Sequence, residues 1–387
     1  MKKKIAIIGS TGSIGKTLLD ILIKEKKNIE IILLAANKSN KLLLKQAKTF
    51  NVKNLILTNK KNYEILKKET QNTGINVFND FSQLDKIFIK KNDYVMSSIS
   101  GINGLDPTLK IIKFTKKIAI ANKESIICGW NLINNELKKN KTEFIPVDSE
   151  HFSIWYGLKN LRNDNLEKVF LTASGGPFYK TPLKNFKNIK VSDALKHPNW
   201  KMGKKISTDS ATMINKVYEV IEAKKIFNID YHKIKILIHP KSYVHAILKF
   251  SNGLSKIIIH DTTMMVPIFN TLFINTSRKL KTDKINIKIL NNLDLKNVNL
   301  YRFPMVKLLS LLPKTNSLFE TVIVSANDRL VELFLNNKIK FTDIQKKLFK
   351  LIQNKEFQKF KKLKPKKITD ITNLNDYVRL KIDKNNI

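Results

Sequence analysis

Two carboxylates stand two residues apart where an apolar run ends, in the stretch Pro146-Val147-Asp148-Ser149-Glu150-His151. In an extended backbone, side chains two apart project to the same side, so Asp148 and Glu150 are spaced to bind one hard cation. The alternative is a strand end with two solvated acids, the usual state of an isolated Asp-Ser-Glu tripeptide. A glycine-rich loop upstream and a cluster of hydroxyls and acids downstream favour the cation site.

A third oxygen ligand comes from a helical pattern that follows Ser210, a residue type typical of helix N-caps and expected to open the helix. Asn215, Glu219 and Glu222 recur at helical spacing, so one face carries an amide and two acids. Glu219 can complete the ligand set of Asp148 and Glu150. Three carboxylates without Cys or His at ligand spacing favour Mg²⁺ or Mn²⁺ over zinc.

The N-terminal residues have the pattern of a dinucleotide-binding unit. An apolar run at residues 4–8 is typical of a buried parallel strand, and the glycine-rich turn at residues 9–15 leads from it into a helical pattern. Glycines in such a turn let backbone N–H groups approach a pyrophosphate at the helix N-terminus. The alternative is a tight turn that binds no ligand.

The turn after the second predicted strand, at residues 30–36, indicates which dinucleotide is bound. An NAD site usually carries Asp or Glu at this point for the ribose 2′-hydroxyl. The turn here is Asn37-Lys38-Ser39, without an acid. Since Lys38 and Ser39 suit a 2′-phosphate, the sequence favours NADPH over NADH.

Residues 117–121 predict a strand whose carboxyl end carries Asn122 and Lys123. Ligands of open α/β sheets bind at the carboxyl ends of strands, which makes Lys123 a candidate substrate or nicotinamide-side contact. The alternative is an ordinary strand-to-helix turn in which Asn122 or Ser125 caps the next helix.

Two later loops are also candidates for ligand binding. Ser174-Gly175-Gly176 follows a predicted strand at residues 168–172 and has the composition of a phosphate-binding nest. Residues 196–203 set a His and a Trp among Pro, Gly and Asn, which indicates an exposed lid over a ligand. The alternative for this lid is a surface loop that tucks in its own Trp200.

These patterns predict an α/β protein with several domains, since 387 residues suffice for two or three cores. Apolar residues from Met305 onward recur at helical spacing. The predicted parts are an N-terminal Rossmann-like NADPH-binding domain (1–147), a central α/β catalytic domain with the metal site and flap (148–274), a connector (275–300) and a C-terminal helical domain (301–387).

The net charge of +39 raises the alternative of a nucleic-acid-binding protein. Only 5 of the 71 basic residues are Arg, the residue that groove readers use for bidentate contacts, so specific recognition is disfavoured. The charge is expected to favour anionic small substrates. The single cysteine, Cys128, is interpreted as a packing residue. With neither a signal peptide nor a membrane span in the pattern, the expected location is the cytoplasm, and no membrane or nucleic-acid partner is expected.

Seven ordered motifs give the chain a resemblance to the 1-deoxy-D-xylulose 5-phosphate reductoisomerase family. They are GSTGSIG (9–15), ANKES (121–125), PVDSEH (146–151), SGGPF (174–178), HPNWKMG (197–203), DSATMINK (209–216) and LIHPKS (237–242). The resemblance covers nearly the whole chain. One departure is the turn Asn37-Lys38-Ser39, where the family often has a Gly-Lys-Asn type turn.

The resemblance implies a set of site residues. For NADPH they are Thr11, Gly12, Ser13, Ile14, Lys38, Asn122, Glu124 and Gly203, to which the residue pattern adds Asn37 and Ser39. For the metal they are Asp148, Glu150 and Glu219. For the substrate phosphate they are Ser174, Ser210, Asn215 and Lys216, with Lys123, Ser149, Glu150, His197 and Glu219 also at the substrate. Trp200 and Met202 fall in the flap, and Lys123, Glu150 and His197 are the acid–base candidates.

The implied reaction is an NADPH- and metal-dependent rearrangement and reduction of 1-deoxy-D-xylulose 5-phosphate, a small phosphorylated sugar, to 2-C-methyl-D-erythritol 4-phosphate in isoprenoid biosynthesis. The resemblance also implies a homodimer. The alternative within the same cofactor class is a semialdehyde-type reductase, which needs a catalytic cysteine. Cys128 does not follow a nucleophile pattern.

Overall fold

The computed structural model describes residues 2–159, 161, 165–200 and 202–384. Its strands are β1 Lys3–Ile8, β2 Ile29–Ala36, β3 Asn54–Leu57, β4 Asn76–Phe78, β5 Tyr94–Ser97, β6 Lys117–Ile120, β7 Glu143–Pro146, β8 Leu166–Ala173, β9 Ile234–Ile238, β10 Val244–Phe250, β11 Ser255–Ile259 and β12 Lys296–Asn297. Its α-helices are α1 Ser13–Leu22, α2 Asn40–Phe50, α3 Lys60–Glu69, α4 Leu84–Ile87, α5 Leu105–Ile112, α6 Lys123–Lys139, α7 Ser149–Leu158, α8 Val191–Ala194, α9 Lys204–Thr212, α10 Ile214–Phe227, α11 Met265–Phe273, α12 Ile287–Leu290, α13 Phe319–Leu335, α14 Phe341–Gln353, α15 Lys355–Gln358 and α16 Ile368–Lys384.

The chain forms two compact units. The first comprises Met1–Ser125, Leu132–Phe152 and Met264–Lys281, and the second comprises Ile126–Asn131, Ser153–Thr263 and Thr282–Ile387. The predicted domain boundaries at residues 147, 274 and 300 remain a prediction.

The first unit is built on a seven-stranded sheet in the order β4-β3-β2-β1-β5-β6-β7, with every pair parallel. The strand order reverses direction between β1 and β5, which is where open α/β sheets bind their ligands. The predicted strands at residues 4–8, 30–36 and 117–121 are confirmed within one residue at each end. The prediction of a Rossmann-like domain is therefore confirmed.

Burial on both faces explains the apolar runs within these strands. Ile5, Ala6, Ile7 and Ile8 of β1 are all 0% exposed, because both faces of a parallel sheet are covered. Each fully buried isoleucine side chain contributes about 2 kcal/mol to folding. Helix α11 belongs to this unit: Tyr94 Oη lies 2.7 Å from Thr271 Oγ1 in its buried interior.

The second unit combines a mixed sheet with helices. Its five strands have the order β11-β10-β8-β9-β12, with β8 and β9 parallel and the other pairs antiparallel. The segment expected as a connector contributes β12 to this sheet. Apolar residues of α13, α14 and α16 are buried at helical spacing, so the predicted C-terminal helices are confirmed.

Two local predictions are wrong. The backbone at Glu150 is not extended, because α7 begins at Ser149 and the N–H of Phe152 donates to the carbonyl of Asp148 at 2.7 Å. Ser210 does not open a helix either: it lies in the last turn of α9, and α10 begins after Met213, whose φ is +66°. Hydrogen bonding at these junctions prevailed over the residue-type signal in both cases.

Candidate active site

The carboxyl edge of the seven-stranded sheet collects the predicted residues of the first unit. The turns after β1, β2, β5, β6 and β7 all emerge there, because parallel strands share one carboxyl edge. They carry the glycine-rich turn, Asn37-Lys38-Ser39, Ser98, Asn122 with Lys123, and Asp148 with Glu150. Tertiary structure thus brings together residues that lie more than a hundred positions apart in sequence.

The turn between β1 and α1 has the geometry of a phosphate-binding loop. Gly9 has a φ of +92°, and a Cβ there would lie 2.7 Å from the carbonyl carbon of Ser98. A Cβ at Gly15 would lie 2.5 Å from the carbonyl oxygen of Gly9. Gly12 and Ser13 are exposed, and no side chain in the described part of the chain caps α1. The first N–H groups of α1 are therefore presented for an anion.

The turn after β2 is exposed and held by the neighbouring turn. The N–H of Asn59 donates to the carbonyl of Asn37 at 3.0 Å, and the amide of Asn62 donates to the carbonyl of Lys38. Asn37, Lys38 and Ser39 are all exposed. An exposed lysine on a turn that is held by hydrogen bonds suits a phosphate group better than a ribose diol.

The amide of Asn122 confirms the capping alternative for this residue. Its Oδ1 accepts the N–H of Ser125 at 2.9 Å, which caps α6, and its Nδ2 donates to the carbonyls of Gly101 at 2.8 Å and of Ile99. Asn122 therefore ties the turn after β5 to the turn after β6. Glu124, in the first turn of α6, is buried.

In the acidic stretch after β7, the carboxylate of Asp148 contacts a lysine and a histidine. Asp148 Oδ2 lies 3.3 Å from Lys123 Nζ and 3.1 Å from His151 Nδ1, while the Ser149 hydroxyl donates to Glu150 Oε2 at 2.6 Å. The lysine contact follows from the pairing of Ile120 with Pro146, which places the ends of β6 and β7 side by side. Asp148 and Glu150 can offer carboxylate oxygens to a metal ion, and these are the ligands that Mg²⁺ and Mn²⁺ prefer.

In the second unit, the loop after β8 is compact and rich in left-handed backbone. Gly175 and Gly176 have φ of +85° and +66°, and a Cβ at Gly176 would lie 2.9 Å from the carbonyl oxygen of Ser210. Ser174 Oγ accepts the N–H of Gly176 at 3.0 Å. The glycines thus bring the Ser174 loop against the end of α9.

The ring of His197 fixes the orientation of the Ser174 hydroxyl. His197 Nδ1 accepts the N–H groups of Asn199 at 3.2 Å and Trp200 at 3.0 Å, so the proton of the neutral ring resides on Nε2. Nε2 lies 3.1 Å from Ser174 Oγ and donates to it. Because Ser174 Oγ accepts from both His197 and Gly176, its own proton remains available for a ligand oxygen.

Burial lowers the pKa of His197 from 6.5 to about 4, so the ring is neutral at pH 7. The unfolded chain then binds one more proton than the folded chain between pH 6.5 and 4. The stabilisation is complete above pH 6.5 and is lost as the pH falls through 4. His197→Gln is expected to reduce the loss of unfolding free energy between pH 7 and 5 by about 1 kcal/mol, since the half-buried ring is partly screened by solvent.

Urea unfolding of wild type and His197→Gln at pH 7 and pH 5 measures this effect. His232→Gln is the control, because His232 lies in a different part of the same unit. Equal pH slopes for wild type and His197→Gln would show that His197 does not stay neutral in the folded chain.

The junction of α9 and α10 gathers the other polar residues of the second unit. Lys216 Nζ and Asn215 Nδ2 both donate to the carboxylate of Glu219, one to each oxygen. Lys216 and Glu219 are buried at 4% and 1% exposure, a placement that requires such pairing for charged groups. An ammonium, an amide and a carboxylate are thus concentrated on the first turns of α10.

The flap residues lie against the turn after β9. Asn199 Nδ2 donates to the carbonyl of Pro240 at 2.7 Å and to Ser242 Oγ at 2.8 Å, and the Trp200 ring meets His245 edge-on at 6.2 Å. The alternative of a loop that packs its own Trp is thus partly right, because Trp200 packs on the second sheet. Gly203 is exposed at the start of α9, and Lys201 lies outside the described residues.

The chain was compared with known proteins by sequence. A family model described as 1-deoxy-D-xylulose 5-phosphate reductoisomerase matches residues 5–129, and two C-terminal domain models of that enzyme match residues 144–227 and 260–381. The 1-deoxy-D-xylulose 5-phosphate reductoisomerase of Pelagibacter ubique (strain HTCC1062) is 61% identical over 382 residues, covering 98% of this chain and 98% of the relative. The chain belongs to the 1-deoxy-D-xylulose 5-phosphate reductoisomerase family. The enzyme of that name from Clostridium tetani is 36% identical, covering 93% of this chain and 96% of the relative.

Solved members of the reductoisomerase family have the same fold. The Zymomonas mobilis enzyme in complex with NADPH aligns with a TM-score of 0.89 and 29% identity, covering 99% of this chain and 98% of the relative. A reductoisomerase bound to NADPH, fosmidomycin and magnesium aligns with a TM-score of 0.89 and 28% identity, covering 99% of both chains.

Gln46 is a buried residue beside the glycine-rich turn that the sequence patterns missed. Ser10 Oγ donates to Gln46 Oε1 at 2.8 Å, and Gln46 Nε2 donates to the carbonyl of Ser10 at 3.0 Å. Both residues are buried. The two bonds tie the glycine-rich turn to α2. No pattern in the sequence singled out Gln46, because its burial and its partner depend on how α2 packs against the turn.

Two further findings bear on the alternatives. Cys128 is buried at 2% exposure, which agrees with a packing residue rather than the nucleophile that a semialdehyde-type reductase needs. In the described part of the chain, no helix combines the length and apolar character needed to cross a membrane.

Proposed function

We propose that this chain catalyses the NADPH- and divalent-metal-dependent conversion of 1-deoxy-D-xylulose 5-phosphate to 2-C-methyl-D-erythritol 4-phosphate, a step toward isoprenoid precursors. Family membership over almost the whole chain is the observation that carries the proposal. The carboxyl edge of the first sheet carries the polar turns expected for NADPH and a cation. The start of α10 carries Asn215, Lys216 and Glu219.

NADPH fits the first unit. Thr11, Gly12, Ser13 and Ile14 form the open turn and uncapped helix start that suit a pyrophosphate. Asn37, Lys38 and Ser39 are exposed where the 2′-phosphate is expected. The proposal adds Asn122, Glu124 and Gly203 to the cofactor contacts.

The proposed metal ligands are Asp148, Glu150 and Glu219. All three offer carboxylate oxygens, and Asp148 is in turn held by His151, the type of outer contact that orients a ligating carboxylate. An all-oxygen donor set fits Mg²⁺ or Mn²⁺.

The proposed phosphate contacts are Ser174, Ser210, Asn215 and Lys216, which lie in one unit. Gly176 packs against Ser210, and the Ser174 hydroxyl keeps a proton to donate. Lys216 supplies a positive charge and Asn215 an amide donor. Four donors with one cation are a suitable complement to a phosphate monoester.

When bound, NADPH supplies a hydride and the divalent cation polarises substrate oxygens during the skeletal rearrangement. Lys123, Ser149, Glu150, His197 and Glu219 are proposed to contact the substrate. Lys123, Glu150 and neutral His197 are the proposed acid–base groups. Anchoring the phosphate away from the reacting carbons orients the substrate.

The test is NADPH oxidation by the purified chain with 1-deoxy-D-xylulose 5-phosphate and Mg²⁺ or Mn²⁺. The expected result is turnover that requires substrate and metal and forms 2-C-methyl-D-erythritol 4-phosphate. A folded, metal-loaded protein without turnover would overturn the proposal. We further propose a cytoplasmic homodimer without a nucleic-acid partner, which light scattering and a gel shift at physiological salt would test.

Gln46→Leu is expected to weaken NADPH binding about tenfold, because leucine fills similar volume but leaves the buried Ser10 groups without their partners. NADPH titration followed by fluorescence measures the change. Gln71→Leu, at an exposed position of the same unit, is the control. Unchanged NADPH affinity in Gln46→Leu would show that the turn holds its shape without this residue.

A further inference from the structure

A buried polar cluster fastens α9, the helix that carries Ser210, to the C-terminal helix α13. Asn327 Nδ2 donates to Asp209 Oδ1 at 2.8 Å, and the two residues are 0% and 2% exposed. Lys205 Nζ lies 2.9 Å from Asp209 Oδ2 and 2.9 Å from Asp328 Oδ1. Both oxygens of Asp209 are thus engaged, one by an amide of α13 and one by a lysine that α13 also holds.

The hydrogen bond and ion pairs of this cluster fix the position of α9 relative to α13. A buried carboxylate is costly unless specific donors satisfy it, so α9 is stable only in the register that presents Asp209 to Asn327. Apolar side chains would pack the same interface with less constraint on register. The cluster therefore restricts how far α9 can shift along α13.

The segment that α13 fastens is the phosphate-binding part of the proposed site. Ser210 directly follows Asp209, and the carbonyl of Ser210 would lie 2.9 Å from a Cβ at Gly176, so the Ser174 loop has no room to follow a shifted helix. The hydroxyl of Thr212 donates to the carbonyl of Asp209 at 3.2 Å. Met213 follows directly, and Asn215 and Lys216 lie in the first turn of α10.

We propose that Asn327 and Asp328 of α13 are positioning residues for the substrate phosphate, acting through Asp209 and Lys205. They align Ser210 with the Ser174 loop on one side and with Asn215 and Lys216 on the other. This inference rests on the proposed role of these four residues as phosphate contacts. It gives helix α13 a part in substrate binding through α9.

The test exchanges donor and acceptor across the buried bond. Asn327→Asp alone sets two carboxylates against each other, and KM for 1-deoxy-D-xylulose 5-phosphate is expected to rise at least tenfold. Asp209→Asn combined with Asn327→Asp restores one amide and one carboxylate, so KM should return to within threefold of wild type. KM for NADPH should rise far less than KM for the substrate, because every proposed cofactor contact except Gly203 lies in the first unit. General destabilisation does not produce this selectivity.

Binding of inorganic phosphate tests the proposed phosphate site without turnover. Its stabilisation of the wild-type chain in thermal unfolding should be lost in Asn327→Asp and regained in the double variant. Asn336→Asp, at the exposed end of α13, is the control for an added charge. If Asn327→Asp does not fold, Asp328→Asn replaces it, with an expected threefold rise in KM for the substrate.

An unchanged KM for the substrate in the variant tested overturns the inference. So does a double variant that folds like wild type while its KM stays raised. A wild-type chain that binds phosphate but does not convert the sugar phosphate would instead overturn the proposed function. The two failures are therefore distinguishable.

Discussion

Glu219→Gln is expected to lower kcat/KM at least about a thousandfold, because a neutral amide oxygen replaces an anionic ligand of the divalent cation, and such an ion supplies several kcal/mol of transition-state stabilisation. The change also replaces one of the two carboxylate oxygens that Asn215 and Lys216 contact with an NH2 group, and it removes the negative charge beside Lys216. NADPH binding should survive, since its proposed contacts do not include Glu219. Steady-state kinetics over a range of Mn²⁺ concentrations, with a separate NADPH titration, measures both effects.

The control for this substitution is Glu167→Gln. Glu167 is a half-buried residue of β8 whose carboxylate lies 2.8 Å from Lys249 Nζ, and a solvent-accessible ion pair of this kind contributes about 0–1 kcal/mol. Its loss should leave kcat/KM within twofold of wild type. Full activity of Glu219→Gln would mean that the third metal ligand is another residue.

Gly15→Ala is expected to weaken NADPH binding at least about a hundredfold and to lower the Tm. The added Cβ would lie 2.5 Å from the carbonyl oxygen of Gly9 and 2.5 Å from Ser10 Cα. Both are backbone atoms of the turn itself, so the clash is relieved only by moving the turn away from α1. NADPH titration and a thermal melt measure the two effects.

Gly12→Ala is the matched companion of that variant. Gly12 has no left-handed backbone, and the nearest atom to its added Cβ is the Gly9 carbonyl oxygen at 3.4 Å, an ordinary contact. The fold should tolerate this alanine with a nearly unchanged Tm, and any NADPH affinity that it loses reports the approach of the ligand to the turn. Equal melting and equal affinity for Gly15→Ala and wild type would contradict the close packing of Gly15.

Positions of the strands in the first unit could be predicted because a parallel strand buried on both faces is apolar throughout. β1 and β6 illustrate this, since continuous apolar runs mark them. The helix boundaries could be predicted less well than the strands. The pattern around Asp148 suits an extended backbone and a helix N-terminus equally, and a hydrogen bond from Phe152 N–H decided it.

The sequence also did not predict which polar side chains are buried. Gln46 and Asn327 lie on helices and match no motif, yet each is buried and bonded to a residue in or next to a proposed binding segment. Their partners, Ser10 and Asp209, are 36 and 118 positions away. Contacts over such separations depend on how helices pack, which periodicity does not encode.

Residue types and local spacing alone determined the chemistry that this chain can carry: a dinucleotide turn, a turn without an acid after β2, oxygen ligands and a phosphate nest. Those features are local because each is formed by a few consecutive residues. Tertiary structure alone decided which of them meet. The pairing of β6 with β7 places Lys123 at Asp148, and the close packing of Gly176 places the Ser174 loop at Ser210. Such contacts depend on strand register and on the absence of a single methyl group, which are properties of the folded chain.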